Sequence, residues 1–286
     1  MIWEYLREGE FENAVKASKG LCIVPVGCLE KHGQHSPVGT DTIIAENVAV
    51  QASEIEPAVV FPTMYFGEKS GASQFKGTVI FSIETRWLMF KETCNEIYRN
   101  GFKKILFCNG HGGNSDMLGL FSRRMLEENP NILIYTTSVC SFKTLEITEA
   151  IQNNPEKYSY LTEEDKASLI DFVEKKKSSG HACIRETAMA YHFQPDSVRL
   201  DKISQESGDN VRRFTALSNS KVTSPMAWMA DFPNSYSGSN DYVMNERIAR
   251  AISEYDIDLF AKKIHFLKEE TISEEYQKEW IAKQSK

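Results

Sequence analysis

Leu21–Val26 is an apolar run with no polar interruption, the pattern of a strand covered on both faces. Beyond it, Ile44, Val48, Ala52 and Ile55 recur at the helical period within Asp41–Ile55. Val59–Met64 and Thr78–Ser82 predict two further strands. The next helical pattern places Phe90, Cys94, Ile97 and Tyr98 on one side and stops at Gly101, a glycine suited to the C′ position. Ile105–Cys108 predicts a strand. Asn114, followed by Asp116, is placed to cap a helix bearing Met117, Leu118, Phe121, Met125 and Leu126, which ends before Pro130. Ile132–Thr136 predicts the last strand of the series. Strands alternating with helices of this length imply βαβ units: an α/β protein with a mainly parallel sheet and helices on both faces.

Past Phe142 the pattern changes. Residues 143–178 read as a polar, helical excursion, Glu186–His192 opens another helix, and residues 246–267 form a long one near the C-terminus. Residues 268–286 read as a polar tail. The turn-rich stretch 227–241, with Trp228, Phe232 and Tyr236, either packs on the surface or covers a substrate. No low-complexity linker, repeat or abrupt charge shift divides the chain, so one domain over residues 1–286 is expected.

Composition narrows the function. The 286 residues are 41% hydrophobic and 26% charged, ordinary globular values. A net charge of −7 argues against nucleic acid as a partner, since phosphate binding needs clustered Lys and Arg. The one basic cluster, Lys175-Lys176-Lys177, reads as a solvated helix end. The longest apolar stretches are too short to span a bilayer, and Met1–Tyr5 lacks the basic start of a signal peptide. Six cysteines without CxxC spacing read as buried thiols in a reducing cytoplasm.

Two segments concentrate metal-ligand chemistry. Glu30-Lys31-His32-Gly33-Gln34-His35, with Asp41 close behind, follows the first strand; Asn109-Gly110-His111-Gly112-Gly113-Asn114 follows the strand at 105–108. In an open parallel sheet, ligands collect outside the carboxyl ends of the strands, so these turns can meet in space. Glu30 and His32 alternate with Lys31 and point the same way in extended chain. Asp41 falls at a helix N-terminus, where the dipole favours an anion. Carboxylates and imidazoles of this kind suit two divalent ions, zinc, manganese or iron. A lone His in a glycine-rich turn is usually only a hydrogen-bonding residue, but four of the six histidines (His32, His35, His111 and His181) fall in three such segments. His35 reads as a supporting residue, and His192 and His265 as structural. The NGHGGN turn lacks the Lys-Ser/Thr of a phosphate-binding P-loop.

The first segment, extended to Val24-Pro25-Val26-Gly27-Cys28-Leu29-Glu30-Lys31-His32-Gly33-Gln34-His35 with Thr40-Asp41, resembles the amino-terminal signature of the creatininase (creatinine amidohydrolase) family. Asn109–Asn114 resembles its second signature and His181-Ala182-Cys183-Ile184-Arg185-Glu186-Thr187 its third; Gly77-Thr78 fits a looser fourth. The resemblance implies a three-layer α/β/α sandwich, two divalent ions per subunit, and a homo-oligomer, commonly a hexamer built from dimers. It implies that Glu30, Asp41 and His111 hold one ion. His32, a bridging Asp41 and Glu186 would hold the other, with His181 transferring protons. Creatininase has a glutamate where this chain has Gly113, so the third-signature Glu186 takes that ligand role. Cys183 and Ile184, and the absence of a histidine in Ser70–Gln74, depart from the usual pattern, so the resemblance does not select creatinine as the substrate.

The expected activity is hydrolysis of a C–N bond other than an ordinary peptide bond, in a small cyclic amide, formamide or peptide-like molecule. A hydroxide shared by the two ions would attack the carbonyl, and His181, as an imidazole, would protonate the leaving nitrogen. Glu186 either binds the second ion or orients His181. Two rivals remain: a non-catalytic metal-binding scaffold, and a dinuclear phosphoesterase using Lys31, Lys69 or Arg185 as an anion clamp.

Overall fold

Four strands, Leu21–Val26 (β1), Val59–Val60 (β2), Lys104–Asn109 (β3) and Leu133–Ser138 (β4), pair in the order β2-β1-β3-β4, every neighbour parallel. They belong to a computed structural model of the chain, which describes residues 1–68, 70–175, 177 and 180–284. The helices are Phe11–Ala17 (α1), Thr40–Ile55 (α2), Ile83–Arg99 (α3), Asn114–Glu128 (α4), Thr144–Asn153 (α5), Glu163–Glu174 (α6) and Ile184–Phe193 (α7). Two short ones, Thr215–Asn219 (α8) and Ala227–Asp231 (α9), precede Glu246–Glu269 (α10) and Ile272–Gln284 (α11).

The period-2 alternation of β1 and β3 sorts the core into two halves. Leu21, Ile23, Leu106 and Cys108 face one way, into a cluster with Ile44 and Val48 of α2, Met189 of α7, and Ile252 and Phe260 of α10. Cys22, Val24, Ile105 and Phe107 face the other, against Ala14 of α1, Phe90 and Ile97 of α3, and Leu118 and Phe121 of α4. Helices therefore cover both faces, giving the expected three-layer α/β/α arrangement. Residues of α5 and α6 (Ile147, Ile151, Leu169, Phe172) join the first half of the core, while α11 buries no residue. No described helix is long and apolar enough to cross a membrane.

Three expectations give way. Thr78–Ser82 is not a strand: Val79 alone donates to Leu29 O (3.2 Å), and Val79 and Ile80 remain 38% exposed, so an apolar run lies outside the sheet. The run Val59–Met64 is regular strand only at Val59–Val60: Phe61 N still donates to Ile23 O (2.8 Å), but the register then slips by one residue before Met64 N reaches Pro25 O (2.9 Å) at a Val26–Met64 bridge. Asn114 does not cap α4, whose cap is Gly113 with no side-chain bond. Gly101, at φ +98°, does sit just past the end of α3. Of the basic cluster, Lys175 pairs with Asp171 (2.8 Å) and Lys177 with Asp241 (3.1 Å); Lys176 lies outside the described residues.

Asp256, buried on α10, accepts a hydrogen bond from Cys140 N at 2.8 Å and so holds a left-handed residue (φ +54°) where the chain leaves β4. Burial pushes its pKa up to about 6, although the Cys140 N–H and the Lys263 and Arg185 charges oppose the rise. The native state therefore keeps a proton that the unfolded chain releases near its ordinary pKa of about 3.9. The contribution of Asp256 to stability should fall as pH rises from about 4 through 6, by up to about 3 kcal/mol. Asp256→Asn, which keeps an acceptor for Cys140, should flatten that decline in denaturant melts; an unchanged slope would show that another group is responsible.

Candidate metal centre

The first turn after β1 carries its donors inward because Gly27 lets it pass against α2. A Cβ on Gly27 would lie 2.5 Å from the Thr42 backbone. Glu30 and His32 are both wholly buried, and Asp41, in the first turn of α2, is 1% exposed. The turn after β3 is tied by its own asparagines. Asn109 Oδ1 accepts from His111 N (3.0 Å) and from Asn114 Nδ2 (3.1 Å), and Asn114 Oδ1 accepts from Glu68 N (2.7 Å). Asn114 thus stitches the glycine turn to the 67–68 segment. Before α7, Ala182 adopts a left-handed conformation (φ +57°) and its N–H donates to Glu186 Oε2 at 2.5 Å, fixing that carboxylate.

These turns converge. His111 Nδ1 lies 2.8 Å from Glu30 Oε1 and 3.1 Å from Asp41 Oδ2. His32 Nε2 lies 3.1 Å from the other Asp41 oxygen and 3.9 Å from Glu186 Oε2. His181 stacks obliquely on His32, with ring centroids 4.1 Å apart, and its Nδ1 is 3.7 Å from Glu30 Oε1. All six residues proposed from sequence meet here. Cys28, read there only as a buried thiol, joins them: its Sγ donates to Asp41 Oδ2 at 3.1 Å. The available signal was the alternation 28, 30, 32, which puts Cys28 on the same side as Glu30 and His32.

Each imidazole is anchored by its outer nitrogen to a backbone carbonyl: His32 Nδ1 to Glu30 O (3.1 Å), His111 Nε2 to Glu68 O (2.7 Å), His181 Nε2 to Lys31 O (2.8 Å). Donation to a carbonyl fixes the tautomer, so in the neutral ring the inner nitrogen is a lone pair. Those lone pairs face ionised carboxylates, which also only accept. Acceptors packed against acceptors in a buried site require positive charge. Without a metal, protons supply it. Burial works to lower the pKa of both rings, but Asp41 and Glu30 outweigh it and push His32 up to about 9 and His111 up to about 10. Burial likewise works to raise the carboxylates. His181 and His111 nevertheless hold Glu30 down to about 2, and His32 and His111 hold Asp41 well below the usual aspartate range. Glu186 goes the other way, to about 7, because burial, with the Asp41 charge added, prevails over His32.

The donor set fits divalent ions. Two ligands each about 2.1 Å from one ion lie about 3.0–3.4 Å apart at ordinary coordination angles, and the principal separations here are 2.8–3.1 Å. Single donor atoms of Cys28, Glu30, Asp41 and His111 lie within 4.8 Å of one another, as do those of His32, Asp41 and Glu186. A third such set is Glu30, His32 and His181. Outer-nitrogen anchoring by carbonyls is the usual support for a metal-binding imidazole.

Above the centre lies a cavity of about 660 Å³, lined by His111, His181, Glu186, Arg185, Trp228 and Met229 among others. The Trp228 ring meets His181 edge-on at 5.4 Å, so the aromatic stretch at 227–241 reaches the site. Glu68, also on the wall, is paired with buried Arg86 at 2.5 Å; no sequence pattern singled it out. His35 stays outside: its Nε2 bonds Thr187 Oγ1 at 2.9 Å, and burial pushes its pKa down to about 4. His265 pairs with Glu56 on the surface and His192 is half-buried on α7. Of the suggested anion clamps, Lys31 is held by Glu206 (2.7 Å) and Asn234 O (2.6 Å), Arg185 donates to Phe142 O, and Lys69 lies outside the described residues.

A family model described as creatininase, creatinine amidohydrolase, matches residues 4–255. The chain is 31% identical over 111 residues to a creatinine amidohydrolase from Pseudomonas putida, a match covering 37% of this chain and 43% of that one. It is 36% identical over 104 residues to a mycofactocin precursor peptide peptidase from Mycolicibacterium smegmatis, covering 34% and 42%. The chain thus matches less than half the length of either relative. A crystal structure of creatinine amidohydrolase superposes with a TM-score of 0.70 at 19% identity, covering 94% of this chain and 98% of that one. A creatininase described as the Mn form gives 0.68 at 19% identity, covering 94% and 99%. A variant described as Zn-Zn type gives 0.71 at 19% identity, covering 94% and 98%. At these identities the likeness speaks for the fold.

Proposed function

Because the chain belongs to the creatininase family, we propose that it is a divalent-metal-dependent amidohydrolase that cleaves a C–N bond of a small cyclic amide, formamide or peptide-like substrate. The observation that carries this reading is the set of three carbonyl-anchored imidazoles aimed at buried carboxylates beneath an open cavity. Glu30, Asp41 and His111 would hold one ion, and His32, Asp41 and Glu186 a second. Asp41 suits the bridging role because its two oxygens face different imidazoles. Such ions supply Lewis acidity toward a carbonyl and acidify water toward a pKa of about 7.

The remaining work falls to the protein. His181 lines the cavity with its inner Nδ1 turned to the centre, so it can carry a proton at that atom to the leaving nitrogen. The Lys31 carbonyl keeps the ring in place while it does so. Trp228 and Met229 add apolar surface to the cavity wall, which would shield part of a bound amide from water. The matched relatives act, by their names, on creatinine and on a precursor peptide. The cavity wall here, with Arg185, Trp228 and Met229, supports the class of amide without selecting one member. Zinc and manganese, named for two of the superposed structures, are the first ions to test.

A screen of zinc- and manganese-loaded protein over lactams, formamides and short peptides should find turnover. His181→Gln should then lower kcat by about 10²- to 10⁴-fold with bound metal unchanged by elemental analysis. Undiminished turnover in that variant would remove His181 from the reaction. Metal binding with no hydrolysis of any amide would favour a non-catalytic scaffold.

A further inference from the structure

The geometry points to Cys28 as a sulfur ligand of the first metal position, making that position a mixed S, N, O site selective for thiophilic ions such as zinc over manganese. This rests on the reading that the cluster holds divalent ions. Four facts support it. Sγ is wholly buried, and it lies within 4.8 Å of donor atoms of Glu30, Asp41 and His111 together. It is 3.1 Å from the Asp41 oxygen that also faces His111. And a Zn–S bond of about 2.3 Å beside a Zn–O bond of about 2.1 Å puts the two ligands about 3.1–3.6 Å apart, a range the observed separation reaches at its short end.

A thiol sharing a carboxylate oxygen with an imidazole is poised for exchange. Metal binding would require the Sγ proton of the Sγ–H···Oδ2 hydrogen bond to be released, after which Cys28 Sγ and Asp41 Oδ2 could both serve as ligands. The sulfur would change what the site accepts. Thiolate favours zinc and cobalt, whereas carboxylate-rich oxygen sites suit manganese. With Glu30, Asp41 and His111 alone the position would be a hard one, open to either class of ion. Cys28 biases it.

The test loads metal-free protein with cobalt(II) and records the near-ultraviolet spectrum alongside equilibrium dialysis. Wild type should bind cobalt and show a sulfur-to-cobalt charge-transfer band. Cys28→Ser should still bind cobalt but lose the band, and its zinc affinity should fall about 10-fold or more while its manganese affinity changes little. Bound cobalt without the band in wild type, or a band that survives in Cys28→Ser, overturns the ligand assignment and leaves the metal centre standing. Failure of wild type to bind cobalt, zinc or manganese overturns both. Should the serine variant not fold, X-ray absorption at the zinc edge of wild type decides: one sulfur neighbour at about 2.3 Å supports the assignment, and oxygen and nitrogen alone refute it.

Discussion

Asp41→Asn is expected to strip the protein of both ions and to lower turnover by at least about 10³-fold, the largest effect of any single side chain here. The residue sits at the point where everything else meets. One of its oxygens is 3.1 Å from His32, and the other is 3.1 Å from both His111 and Cys28. An amide presents one oxygen and an NH₂ group, so it can serve one side at most and turns a donor toward the other. The change also removes a negative charge that pushes two buried imidazoles up. Elemental analysis of the purified variant, with a circular-dichroism spectrum to confirm folding, reads the result. Full metal content in a folded variant would mean that Asp41 is not the bridge, and the two-ion assignment would fall.

Gly110→Ala should destabilise the protein by at least about 3 kcal/mol, and Gly112→Ala by no more than about 0.5 kcal/mol. Both glycines belong to the same six-residue motif, which makes the contrast informative. A Cβ at Gly110 would stand 2.2 Å from the backbone oxygen of Asp41 and 3.1 Å from the Ala45 side chain. The obstacle is main chain inside α2, so relief requires prising the helix from the end of β3. That movement would carry Asp41 away from His111, and metal content should fall with stability. At Gly112 a Cβ meets nothing within 4 Å, and its φ lies outside the left-handed region. Paired thermal melts and metal analyses check both halves. Equal effects at the two positions would mean that the turn matters for its flexibility and not for its closeness to α2.

How much of this could be read beforehand depended on whether the signal was local. β1 and β3 announce themselves as apolar runs buried on both faces, α2 and α4 as helices that bury one regular face, and with them came the layered architecture. The donors Glu30, His32, Asp41 and His111 were legible because each follows a strand at the edge where parallel sheets bind ligands. Thr78–Ser82 misled because β-propensity describes the residues and not their partners; no neighbouring strand is there to pair with them. Asn114 has the chemistry of a helix cap, yet it spends its side chain on Glu68 and Asn109, contacts that only the fold creates. Glu68 carries no motif and enters the site through its backbone carbonyl, which any residue could provide. Trp228 sits on the short helix α9, some fifty residues past His181, a placement that periodicity does not encode.

The all-parallel sheet has a consequence for how the protein comes into being. Among the described residues no strand meets its neighbour through a tight hairpin; β1 must wait for β3, and Glu186 arrives later still. Chains built on such distant pairings fold slowly and expose unfinished apolar surface meanwhile. On the ribosome, the finished pocket cannot exist until α9, which brings Trp228 and Met229 to its wall, has emerged. Up to that moment the nascent polypeptide carries its acids and imidazoles in water, where each is well solvated and none has reason to choose a partner.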